Sequence, residues 1–97
     1  MPLLTLKFKD TIVKKYKLEN NKTVSIGRRK TNDIVIENLV VSGSHAKIEA
    51  SKDGFVLSDS QSKNGTFVNN KSVNTRLLKN GDVIRIGMHT LIFSEKD

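Results

Sequence analysis

The chain has no cysteine and no tryptophan, and its single proline is Pro2. Without cysteine, disulfide stapling and thiolate metal sites are excluded, and nothing points to an oxidising compartment. Two histidines alone do not make a zinc site, so no metal is expected. Long apolar runs are also missing. The start, MPLLTLKFKD, carries Lys7 and Lys9 and offers no stretch long enough for a signal segment or a membrane span. A cytoplasmic location is therefore expected. Repeats, low-complexity tracts and proline-rich linkers are absent as well, so residues 1–97 read as one compact module.

At 97 residues and 36% hydrophobic content, the chain can bury one small core and no second one. Charge is the strongest compositional bias, with 17 lysines and arginines against 10 acidic residues and a formal charge of +7. The excess concentrates before residue 31, where Lys7, Lys9, Lys14, Lys15, Lys17, Lys22, Arg28, Arg29 and Lys30 face only Asp10 and Glu19. Such a bias fits an anionic partner, or a solvated face that resists strand-to-strand aggregation.

The dominant apolar period is two. It runs through LLTLKFK, TVSIG, DIVIE, AKIEA, GFVLS, DVIRIG and TLIFS, each of strand length. Turn dipeptides separate them, namely Asp53-Gly54, Asn64-Gly65, Asn69-Asn70 and Asn80-Gly81. No segment sustains a helical apolar face. Short strands with frequent turns and no helix predict an all-β fold, a sandwich of two antiparallel sheets.

Three segments collect the residues that could carry chemistry: GRRKTND (27–33), VSGSH (41–45) and SQSKNGT (60–66). In a sandwich, functional loops tend to gather at one end of the sheets. These loops supply cations and small hydrogen-bond donors rather than carboxylates or imidazoles. Arginine forks around two oxygens, serine donates one short bond, and a lysine or backbone NH takes a third, a set suited to a tetrahedral oxyanion.

The order Gly27-Arg28, then Ser42-Gly43-Ser44-His45, then Asn64-Gly65 resembles the forkhead-associated (FHA) domain family, and the surrounding sequence is similar to it from residue 24 to 87. The resemblance implies a SMAD/FHA-like sandwich of about eleven strands with its ligand loops at one end. It also implies a non-catalytic module that needs no cofactor and recognises phosphothreonine in a partner, the substrate of a Ser/Thr kinase. Carried over residue by residue, Arg28, Ser42 and Lys63 bind phosphate. Asn64 and the Gly43 backbone hold the peptide main chain. Gly27 lets the chain leave its strand sharply, His45 braces the loop, and Gly65 permits the turn that presents Asn64. Gly43 departs from the family, where a polar or basic side chain is common. Leu39, Val40 and Val41 precede Ser42 and suggest an apolar preference at the third ligand residue after the phosphothreonine.

Other functions remain to be weighed. Ser42 and His45 could suggest a hydrolase, but that needs an acid to orient the histidine and an oxyanion hole, and no spacing directs Asp59 to His45. A basic β-domain could bind nucleic acid if cations alternated with stacking aromatics. Here Phe8, Tyr16, Phe55, Phe67 and Phe93 are scattered and mostly at core-parity positions. Phosphate-independent assembly through a sheet face is a further alternative.

Overall fold

In the first strand, β1 (Leu3–Phe8), alternation sorts the side chains as the sequence requires, with Leu4 and Leu6 buried and Thr5 and Lys7 on the other side. The computed structural model describes residues 2–95, and within them β2 is Thr11–Lys17, β3 Val24–Gly27, β4 Ile34–Val35, β5 Ala46–Ser51 and β6 Gly54–Asp59. The remaining strands are β7 (Phe67–Val68), β8 (Lys71–Ser72), β9 (Thr75–Leu77), β10 (Val83–Ile86) and β11 (His89–Ser94). They form a six-stranded sheet ordered β2-β1-β11-β10-β7-β8 and a five-stranded sheet ordered β4-β3-β5-β6-β9. Leu4, Leu6, Ile84, Ile86, Leu91 and Phe93 of the first sheet meet Ile26, Ile34, Ile48, Phe55 and Leu57 of the second in one core.

Turn chemistry closes the hairpins. Asn69 and Asn70 have φ of 50° and 71°, the pair of positive angles that a two-residue hairpin between right-twisted strands demands. The sheets are not wholly antiparallel as expected, because β3 and β4 pair in parallel, Ile26 opposite Ile34 and Gly27 opposite Val35. A parallel pair ordinarily needs a long crossover. Here β4 is too short to demand one, and a clasp holds the returning chain. Asp33 accepts the Ser25 N–H at 2.9 Å, and its own N–H donates to Ser25 Oγ at 3.0 Å.

Opposite the chain reversal that follows β10, Asp82 ties the sheets together. It is buried and accepts from Arg76 Nε and Nη2, both at 3.1 Å, from Asn69 Nδ2 at 3.0 Å and from the Lys79 N–H at 2.9 Å. Burial pushes its carboxyl up, but the Arg76 guanidinium and the other donors outweigh that and hold it below the ordinary carboxylate range. Of the five aromatics, Phe55 and Phe93 are buried and pack with ring centroids 6.2 Å apart. Phe67 is the exception to core parity. It pairs with Arg85 on the outward side of the sheet.

Candidate functional site

Strand register decides which loops meet. Ile26 near the end of β3 pairs with Ala46 at the start of β5, and Ala46 pairs with Asp59 at the end of β6. The segments after β3, before β5 and after β6 therefore leave the same end of the five-stranded sheet. These are the three loops singled out in the sequence.

The first two are pressed together. The Arg28 N–H donates to Ser42 O at 3.0 Å and the Arg29 N–H to Gly43 O at 3.2 Å. Asn32 Nδ2 donates to both Arg29 O and Gly43 O at 2.8 Å. Gly27 sits beneath this contact, and a Cβ there would come within 2.2 Å of Gly43 O and 2.8 Å of Asn32 Nδ2. Its φ is not in the positive range that favours glycine. The close approach of two backbones, rather than a sharp exit from the strand, is what requires glycine at this point. Gly43 lies under the Arg29 side chain, whose Nε would be 2.7 Å from an added Cβ. Arg29 thus covers the space where a larger residue at position 43 would project.

His45 joins the second loop to the third. It is fully buried, its Nδ1 faces the Ser42 N–H at 3.0 Å, and its Nε2 lies 2.9 Å from Gly65 O. A nitrogen that accepts from an N–H carries no proton, so the neutral ring holds its hydrogen on Nε2 and donates it to Gly65 O. Both nitrogens are committed to backbone. Ser42 Oγ therefore has no base from this histidine, and the pair is not a hydrolytic dyad.

The third loop is built around Asp59. Its carboxylate accepts from the Ser62 N–H at 3.0 Å, the Ser62 hydroxyl, and the buried Thr66 hydroxyl at 2.7 Å. Burial pushes the Asp59 carboxyl up, but the hydrogen bonds from Ser62 and Thr66 hold it below the usual range. Ser62 Oγ also accepts the Gly65 N–H at 3.0 Å, fixing a turn in which Gly65 has φ of 89°. This turn delivers the Lys63 N–H to Ser42 Oγ at 3.0 Å and Asn64 Nδ2 to Val40 O at 2.7 Å.

Arg28, Ser42, Lys63 and Asn64 consequently line one open hollow of about 290 Å³, with Gly43, Leu39, Val40 and Val41 completing its wall. Because Ser42 Oγ accepts from Lys63, its own proton is left for a group in the hollow. Asn64 spends one amide hydrogen on Val40, leaving the other and its carbonyl oxygen. Val41 is buried, so of the three apolar residues before Ser42 only Leu39, 88% exposed, and Val40, 42% exposed, present themselves to a ligand. A second hollow of about 320 Å³ adjoins the first through Arg28 and Leu39, and includes Lys30, Glu37 and Asn38.

Asn32 and Asp59 with Ser62 organise the site, but the sequence reading gave them no such role. The Asp-x-x-Ser spacing of Asp59 and Ser62 is a local turn signal that could have found the latter pair. Asn32 carried no comparable mark, since its partner Gly43 is eleven residues away.

The sandwich thus sets an arginine, a serine hydroxyl and a lysine around one hollow at its loop end. The family model for the FHA domain matches residues 24–87, and the chain belongs to that family. It is 43% identical over 72 residues to an ABC transporter ATP-binding/permease protein of Mycobacterium tuberculosis, covering 74% of this chain and 8% of the transporter. It is also 38% identical over 71 residues to the glycogen accumulation regulator GarA of Mycolicibacterium smegmatis, 73% of this chain and 45% of GarA. The chain thus spans half or less of the length of these relatives. A solved structure from work on phosphothreonine-dependent FHA domain interactions superposes with a TM-score of 0.87 at 30% identity, covering 99% of this chain and 97% of the other. Among the described residues, no helix is long and apolar enough to cross a membrane.

Proposed function

We propose that the chain is a non-catalytic recognition module that captures a threonine-phosphorylated segment of a partner protein, the product of a Ser/Thr kinase. Arg28, Ser42 and Lys63 take the phosphate oxygens. Asn64 and the Gly43 N–H hold the peptide main chain, while Gly27, His45 and Gly65 keep the loops in place. Residues 1–97 act as one domain, in the cytoplasm, with no cofactor.

The observation that carries this reading is the shared hollow of Arg28, Ser42, Lys63 and Asn64, in which Ser42 Oγ is anchored by the Lys63 N–H so that its proton faces outward. Phosphothreonine brings about −1.5 to −2 charge and three acceptor oxygens to that spot. A carboxylate brings neither. Isothermal titration with one peptide in phosphothreonine, unmodified and glutamate forms tests it. Binding confined to the phosphorylated form, and lost in Arg28→Ala, is expected. Equal binding of all three forms overturns the reading in favour of phosphate-independent assembly.

A further inference from the structure

The outward side of the six-stranded sheet is basic, and none of its residues lines the loop hollow. In the ladder β2-β1-β11-β10-β7, Ile12, Lys7, Thr90, Arg85 and Phe67 stand opposite one another in a single row. Lys15, Thr5, Ile92 and Val83 form the neighbouring row. Directly opposed residues in antiparallel strands project to one side. Their sequence neighbours Leu6, Leu91 and Ile84 are buried, so both rows face outward. Lys17, opposite Leu3, adds a further cation on the same face.

No aspartate or glutamate occurs among the described residues that face outward from these strands. The ion pairs given by described residues, Lys22–Glu19, Lys47–Glu49 and Arg76–Asp82, include no residue of this face. Among the described residues its cations have no carboxylate partner.

The face also has shape. A hollow of about 290 Å³ is lined by Arg85, Thr90, Val83, Asn69 and Asn70. The Arg85 guanidinium lies over the Phe67 ring, 4.2 Å from its centroid, which restrains the side chain before any ligand arrives. Lys7 and Arg85 flank the Thr90 hydroxyl two strand spacings apart, about 9.5 Å between backbones. Apolar surface runs between the cations, with Ile12 54% exposed and Val83 38% exposed.

We propose that this face is a second binding site, for a carboxylate-rich polypeptide segment that also carries aliphatic side chains. Its carboxylates meet Arg85, Lys7, Lys15 and Lys17, one of them beside Thr90, and its aliphatic groups cover Val83, Ile92 and Ile12. Charge complementarity selects an acidic partner. The aliphatic rows select a polypeptide over a nucleic acid, because base stacking needs open aromatic faces and the one ring here, Phe67, already carries Arg85. This site shares no residue with the loop hollow and stands whether or not that hollow binds phosphothreonine.

The test is an NMR titration of the isotopically labelled chain with a short peptide of glutamates interleaved with valine and serine, and with its glutamine counterpart. Amide shifts confined to β1, β2, β10 and β11 and absent with the glutamine peptide are expected. Lys7→Glu with Arg85→Glu should weaken binding by about tenfold or more, as juxtaposed like charges do, whereas Arg28→Ala should leave it unchanged. Preserved spectral dispersion verifies the fold of the double variant, and the milder Lys7→Gln with Arg85→Gln replaces it if dispersion is lost. Shifts centred on Arg28, Ser42 and Lys63, no binding, or affinity indifferent to the variants would overturn the proposal. So would tighter binding of single-stranded DNA or of phosphatidylserine vesicles at equal salt, which would give the face to a nucleic acid or a membrane surface.

Discussion

The Lys63 N–H donates to Ser42 Oγ at 3.0 Å, across 21 residues of chain. One loop thereby dictates which way the hydroxyl of another can donate. Ser42→Ala removes both this tie and the outward proton, and Arg28→Ala removes the guanidinium. A charge-assisted bond is worth about 1.5–3 kcal/mol, so each change should weaken phosphothreonine-peptide binding by about 10- to 150-fold, read by calorimetry. Retention of wild-type affinity in both variants would remove these residues from the phosphate site.

Phosphate ionisation sets a pH dependence of its own. The second pKa of phosphothreonine is about 6, so binding should weaken as pH falls through that value and the ligand loses charge. Repeating the titration between about pH 7.5 and 5 checks this against a peptide with a non-titrating sulfonate analogue, whose affinity should change less.

His45→Ala should damage the fold and the site together. It leaves the Ser42 N–H and the Gly65 carbonyl without their partner. At about 1–3 kcal/mol for each unsatisfied group, a loss of about 2–6 kcal/mol is expected in urea unfolding. A hydrolytic role would instead leave stability nearly unchanged.

Gly27→Ala places a methyl group against Gly43 O, a backbone atom that cannot swing aside. Stability should fall by about 1–3 kcal/mol, and peptide affinity should fall with it as Arg28 and Ser42 separate. At Gly43 the nearest obstacle is the flexible Arg29 side chain, so Gly43→Ala should cost less than 1 kcal/mol, or about half the Gly27 effect at most. Thermal melts of the two variants give the comparison.

Acid should unfold the protein through Asp59 and Asp82. Both carboxyls are held below the ordinary carboxylate range by donors that outweigh burial. Their contribution is therefore complete above the unfolded-state pKa of about 3.9 and is lost as pH falls below it through the lower folded values. Urea midpoints should drop below about pH 4, and Asp59→Asn or Asp82→Asn should flatten that slope.

Strands with one buried face were legible in the sequence. β1, β3, β5, β6, β10 and β11 each alternate, and their inward residues form the core. β2 was not read as a strand because an edge strand exposed on nearly every residue has no alternation to see. β7, β8 and β9 are too short to set a period. At the site, Gly27, Arg28, Ser42, His45, Lys63, Asn64 and Gly65 could be singled out by residue type and order. Their convergence was expected from the way sandwich loops gather and from the family resemblance, but what produces it, the pairing of Ile26, Ala46 and Asp59, came only with the fold. For the same reason the clamp of Asn32 on Gly43 and the outward setting of Phe67 emerged only with the fold.

The cross-ties among the loops, from Arg28 to Ser42, Lys63 to Ser42 and Asn64 to Val40, make the receiving end stiff before anything arrives. Ordering entropy on association then falls almost wholly on the incoming segment. Residence time should respond more to rigidifying the peptide, by cyclisation or by a proline beside the phosphorylated residue, than to further bracing of the protein.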